Sequence, residues 1–178
     1  MPPGSFPAGP RWDAWGMVRV LGLLLALALG GAALAQGPGV GERPPLERLL
    51  LGPLPEGYSG FSLSARLLLW SVPWSLAGAL GGILSEDPKG RSFWLTNALW
   101  TSVNSAVALV GLLSPEPSRA ELRDILYLNA ALDLLYIAGG IWLATRPDPR
   151  LQGAGWAVGL QGGFLLVFDL YHALVLGE

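Results

Sequence analysis

The stretch ILYLNAALDLLYIAGGIWLAT, residues 125–145, decides how the chain is read. It is a near-continuous apolar run of about 20 residues, the length a helix needs to cross the hydrocarbon core of a bilayer. Asn129, Asp133 and Tyr136 recur in it at spacings of four and three, which places them on one helical stripe. An aspartate at the centre of a spanning helix costs roughly 2.5–3.5 kcal/mol, and each Leu or Ile returns about 0.3–0.6 kcal/mol. The nine Leu and Ile residues between 125 and 145 return roughly 3–5 kcal/mol. That offsets Asp133 and leaves little for Asn129. The helix inserts with Asp133 turned toward protein, away from lipid.

The rest of the chain repeats this pattern. Ser118 and Glu121 form a capping box, with serine accepting from the third amide and glutamate reaching back, so this helix starts at 119 and runs to about 145. Asp148 as N-cap and Pro149 then open a fourth helix, 150–176, carrying Gly155, Gly159 and Gly163 at intervals of four. Upstream, 93–113 carries Asn97, Thr101, Asn104 and Ser105 on one face, after a polar connector at 85–92. The first helix, 61–84, contains Pro73, which removes an amide and predicts a kink near residues 69–73. Gly78 and Gly82 on it allow a neighbouring helix to approach closely. Arg66 lies one turn inside and is expected to snorkel outward. Trp94, Trp142 and Trp156 fall where an interfacial aromatic belt would lie.

The N-terminal region reads differently. Residues 17–35, MVRVLGLLLALALGGAALA, combine a positive start, an apolar centre and a small-x-small site: a secretory signal peptide, with Met17 as the expected true start. An uncleaved anchor helix over 18–35 is the alternative. Residues 36–57 are rich in Pro and Gly and read as a flexible extracytoplasmic segment.

The expected fold is therefore all-α: a transmembrane up-down four-helix bundle at 58–178 behind a signal peptide or anchor. Short loops make successive helices antiparallel. The lysines and arginines of the loops do not decide orientation. The signal peptide does, placing the 85–92 and 146–150 connectors in the cytoplasm and the C-terminus outside the cell membrane.

Composition excludes several function classes. Of 178 residues 52% are hydrophobic and 13% charged, with mean hydropathy +0.47, whereas soluble domains carry about 25% charged residues. The net charge of −2 with no basic run leaves no footprint for nucleic acid. The chain has no cysteine, which removes disulfides, thiolate nucleophiles and iron–sulfur clusters. His172 is the one histidine, so His-rich metal sites and bis-histidine haem are excluded as well. No nucleotide loop, HExxH or GxSxG occurs. No catalytic residue, metal or cofactor is expected.

What remains is a set of polar groups inside apolar helices. On the fourth helix Gln161, Leu165, Asp169 and His172 follow one face at four, four and three, and Asp169 and His172 can hydrogen-bond at i, i+3. By helical rise Asp133 and Asn104 fall near the midplane, with Asn129, Asp169 and His172 roughly 5–10 Å nearer the outer surface. Together they form a candidate pocket for a ligand or a proton, open to the outside, with Trp100 beside Asn97 and Asn104 lining it or packing near it. Intramembrane ionisable groups are functional candidates by default. The structural alternative is interhelical hydrogen bonding, worth around 0.6 kcal/mol per pair. That alternative is preferred for Asn97, Asn104, Asn129 and Gln161. Both readings stand for Asp169 and His172, and Asp133 reads as functional.

The runs NALWTSVN (97–104), NAALDLLYI (129–137) and QGGFLLVFDLYH (161–172) resemble an uncharacterised family of small bacterial membrane proteins, a domain of unknown function. The resemblance covers about 58–176. It implies four membrane helices and points to Asn104, Asn129, Asp133, Gln161 and Asp169. No activity comes with it. A non-enzymatic binding or accessory protein is the leading expectation, and a proton- or ion-coupled transporter or channel subunit is its rival. An intramembrane lipid hydrolase would have the Asp–His pair but lacks a nucleophile. The glycine faces leave room for a homo-oligomer or a partner membrane protein beside the lipid bilayer.

Overall fold

The computed structural model describes Leu50 and residues 52–177. The signal-peptide or anchor region at 1–35 and residues 36–49 and 51 lie outside the described residues. Within them the fold is four helices and no strand: α1 (Ser59–Leu84), α2 (Pro88–Leu113), α3 (Arg119–Ala144) and α4 (Pro149–Gly177). Each is long and apolar enough to cross a membrane.

The helix starts show why the boundaries fall where they do. Ser118 accepts from the Glu121 amide at 3.3 Å, and Glu121 accepts from the Ser118 amide at 3.0 Å, so the capping box of α3 is formed. Asp148 accepts from the Arg150 amide at 2.8 Å, with Pro149 as the first helical residue of α4. The same grammar explains why α2 starts at Pro88, five residues before the expected 93: Asp87 caps it by accepting from the Gly90 amide at 2.7 Å. Proline at the first helical position loses no bond the helix would have made. α1 has no capping side chain of its own. Glu116, from the α2–α3 loop, supplies one by accepting from the Gly60 and Phe61 amides at 2.6 and 3.2 Å. α1 also runs unbroken through Pro73.

Side-chain pairings fix the directions. Ser71 meets Ser105 and Ser75 meets Thr101, so α1 and α2 are antiparallel. Gly140 abuts Gly159, and Gly155 abuts Ala144, so α3 and α4 are antiparallel. Gly153 abuts Lys89 and Gln161 bonds Asn97, so α2 and α4 run parallel. Close backbone packing occurs in these three pairings; α2 and α3, though consecutive, barely meet. Small residues make the approach possible. A methyl at Gly78 would lie 2.6 Å from the Ala98 nitrogen, and one at Gly140 would lie 2.6 Å from the Gly159 nitrogen. Gly159 and Gly163, by contrast, face open space.

The apolar core is split. Leu54, Leu63, Leu126, Phe168 and Leu176 pack at one end, and Phe93, Trp94 and Ala157 at the other. Leu54 belongs to the segment expected to be flexible; here its last residues fold over the helix ends, because Leu54 fills the first cluster. Trp94 is core, not interfacial belt: it is buried against Gly81 and Phe93. Most apolar surface points outward, with Leu84 and Leu113 among the most exposed side chains. No helix has more than 33% of its most apolar stretch buried.

Candidate functional site

The polar residues fall into three groups, each positioned by a different helix contact. The first joins α1, α2 and α4 and is fully satisfied. Gln161 donates to Asn97 Oδ1 at 2.7 Å, Trp70 Nε1 donates to Gln161 Oε1 at 3.0 Å, and Asn97 Nδ2 donates to the Phe93 carbonyl at 2.9 Å. Thr101 and the Ser71–Ser105 pair extend the seam along α1 and α2. Trp70 stacks on Phe164 with ring centres 3.7 Å apart. Asn97 and Gln161 are completely buried. A buried amide left unpaired costs about 1–3 kcal/mol, so this paired set locks helix rotation. It is structural.

The second group lies at the Leu54 end and centres on Arg66. It does not snorkel: the side chain is buried, because nearby acceptors capture it. Its guanidinium donates to the Gly52 carbonyl at 2.7 Å and the Pro53 carbonyl at 2.8 Å, and Nη1 meets His172 Nε2 at 3.0 Å. Arginine carries only donors, so His172 Nε2 accepts. Its Nδ1 then holds the hydrogen donated to the Phe168 carbonyl at 2.7 Å. Both ring nitrogens are used, and neither goes to Asp169. The expected Asp169–His172 hydrogen bond is not formed, since the α4 surface turns Asp169 toward α3 and His172 toward α1.

The third group fills the gap that the missing α2–α3 contact leaves. A cleft of about 470 Å³ lies there, with Trp100 and Asn104 on the α2 wall, Asn129, Asp133 and Tyr136 on the α3 wall, and Asp169 of α4 at its base. Trp100 and Tyr136 meet edge to face at 4.8 Å and bridge the two walls. Asp133 is only 2% exposed. The Asp169 carboxyl lies close enough to interact with it, and two carboxylates, both acceptors, cannot satisfy each other without a shared proton. Three buried side-chain atoms have no partner among the described residues: Trp100 Nε1, Asn104 Nδ2 and Asp133 Oδ2. All three residues line this cleft. Folded proteins leave few such atoms, and each one needs a reason. Among the described residues no group of three His, Asp or Glu could hold a metal ion.

Asp133, Asp169, Asn104, Asn129, Trp100 and Tyr136 are thus brought together, whereas Asn97, Gln161 and His172 belong elsewhere. Sequence reading missed Arg66 and Trp70 as members of the polar network. The one available signal for Arg66 was a cation inside an apolar helix with no carboxylate on the same helix.

Residues 66–170, more than half of the chain, match the model of a family of unknown function, DUF6992, and the chain belongs to that family. No curated protein and no solved structure matches it.

Proposed function

We propose that this chain is a non-enzymatic integral membrane protein that binds a ligand carrying a small polar group in the α2–α3 cleft. One observation carries the reading: the three unpartnered buried polar atoms of the described residues all sit on the walls of one cavity. A protein that used these groups only to join helices would pair them with each other, as it pairs Asn97, Gln161 and Trp70. The outward apolar surface and the length of the four helices support placement in a bilayer. With the N-terminal segment outside, the Leu54 end faces the extracytoplasmic side of the cell membrane.

A second reading, a proton-coupled transporter or channel subunit, draws on the neighbouring Asp133 and Asp169 carboxyls in the same cleft, a pair suited to sharing a proton. His172 does not extend that path, being occupied by Arg66 and Phe168.

Native mass spectrometry of the protein purified in mild detergent tests the binding reading. The wild type retains a small-molecule species that Asp133→Asn and Asn104→Leu lose while still folding. A wild type that carries nothing, together with variants that lose helical content, would refute it.

A further inference from the structure

Resting on that reading of the cleft, we infer that its occupant is a lipid quinone: a flat, uncharged dicarbonyl head on an apolar tail, entering sideways from the bilayer.

Three features of the cleft lead there. The first is how it opens. Leu99 and Val103 on its α2 wall are 70% and 56% exposed, and α2 and α3 lack close backbone contact. A ligand therefore reaches the polar groups between two helices, from the apolar side. The opposite route, from the Leu54 end, is closed by Leu54 in the core and by Arg66 clasping Gly52 and Pro53.

The second is depth. Trp100 and Asn104 lie in the middle of α2 (Pro88–Leu113), and Asp133 in the middle of α3 (Arg119–Ala144). A phosphate or sugar head stays at the bilayer surface, because moving a charged or heavily hydrated group to mid-membrane costs several kcal/mol. A small uncharged ring pays little of that penalty.

The third is the inventory of unmet groups. Trp100 Nε1 and Asn104 Nδ2 are donors and need acceptors; they stand one helical turn apart, about 6 Å by rise. Asp133 Oδ2 needs a hydroxyl or shares its proton. Two carbonyl oxygens on one rigid ring answer both donors, and the hydroxyl of the reduced head answers the carboxylate. The Trp100–Tyr136 edge-to-face pair lines the same space with aromatic surface suited to a flat ring. The volume, about 470 Å³, lies within the roughly 300–1,000 Å³ of small-molecule sites.

The test titrates the purified full-length protein in detergent micelles with a short-tailed benzoquinone and reads quenching of tryptophan fluorescence. Expected is a saturable component that disappears in Trp100→Phe, persists in Trp156→Phe, and weakens by several-fold to about tenfold in Asn104→Leu, the loss of one hydrogen bond. A fatty alcohol with the same tail, which lacks the dicarbonyl ring, should not compete. If that alcohol displaces the quinone equally well, or if the saturable component is absent while native mass spectrometry shows another bound amphiphile, the quinone inference is overturned and the binding cleft stands. If no probe saturates and nothing copurifies, both fall. Should Trp100→Phe not fold, the Asn104→Leu titration and the alcohol competition still decide the matter.

Discussion

Arg66 Nη1 on α1 and His172 Nε2 on α4, 106 positions apart in the chain, meet at 3.0 Å in a buried contact. The same guanidinium holds the Gly52 and Pro53 carbonyls, so one side chain ties α1, α4 and the segment before α1 together. Hydrogen bonds to a charged group are worth about 1.5–3 kcal/mol. Arg66→Leu is therefore expected to lower stability by at least that range and to speed proteolysis between residues 52 and 58. Thermal unfolding in detergent and limited proteolysis measure the two effects. His172→Ala should cost about 1–3 kcal/mol while leaving the segment docked, because Arg66 keeps its carbonyl partners.

The Asn97–Gln161–Trp70 chain predicts strong coupling. Each of Asn97→Ala and Gln161→Ala leaves a buried partner unpaired and should cost about 1–3 kcal/mol. In the double variant the second loss is smaller than the first, since the partner has already gone. Double-mutant cycles on contacting residues give interaction energies of about 0.5–3 kcal/mol. A value near zero would mean that the two amides do not hold each other.

Glycines on α1 and α4 should respond oppositely to the same change. Gly78→Ala places a methyl against the Ala98 and Trp94 backbone, where nothing flexible can yield, and overpacking of that kind costs about 1–3 kcal/mol. Gly163→Ala enters open space and should be neutral or stabilising by up to about 1 kcal/mol through helix propensity. Chemical unfolding of the two variants side by side checks the sign.

How much of this was legible in the sequence depends on the range of the interaction. The four helices, the Ser118–Glu121 box and the Asp148–Pro149 start are local, and spacing alone exposes them. Asp133 stood out because a carboxyl inside an apolar run must face protein, and Asn104 and Asp169 followed from helical stripes. Asp87–Pro88 was legible by the same rule as Asp148–Pro149, yet the polar residues after it read as a loop. What spacing cannot supply is the rotation of one helix against another. Asp169 and His172 are neighbours at i, i+3, but about 60° of helix surface separates them, enough to send one to α3 and the other to α1. The pairing of α2 with α4 in preference to α3, which creates the cleft, rests on Gly153 admitting the Lys89 and Phe93 backbone. Neither contact is visible in a single helix.

Glu116 gives a prediction about a helix end. It caps α1 from another loop through the Gly60 and Phe61 amides, and losing a helix cap costs about 0.5–2 kcal/mol. Glu116→Ala should fray the first turn of α1, seen as faster amide exchange at Gly60 and Phe61 with the remaining helices unchanged.

Whether the unpartnered atoms of the cleft are kept for a ligand decides what the cleft is for. The most direct measurement is the melting temperature of ligand-free wild type, Asn104→Leu and Asp133→Leu in the same detergent. Replacing a buried polar atom that lacks a partner with an apolar group removes a desolvation penalty, so both variants should melt at or above the wild-type temperature. Sites built for binding characteristically hold such unspent instability. A drop of several degrees in both variants would mean that Asn104 and Asp133 hold the helices together, and that the cleft is not a binding site.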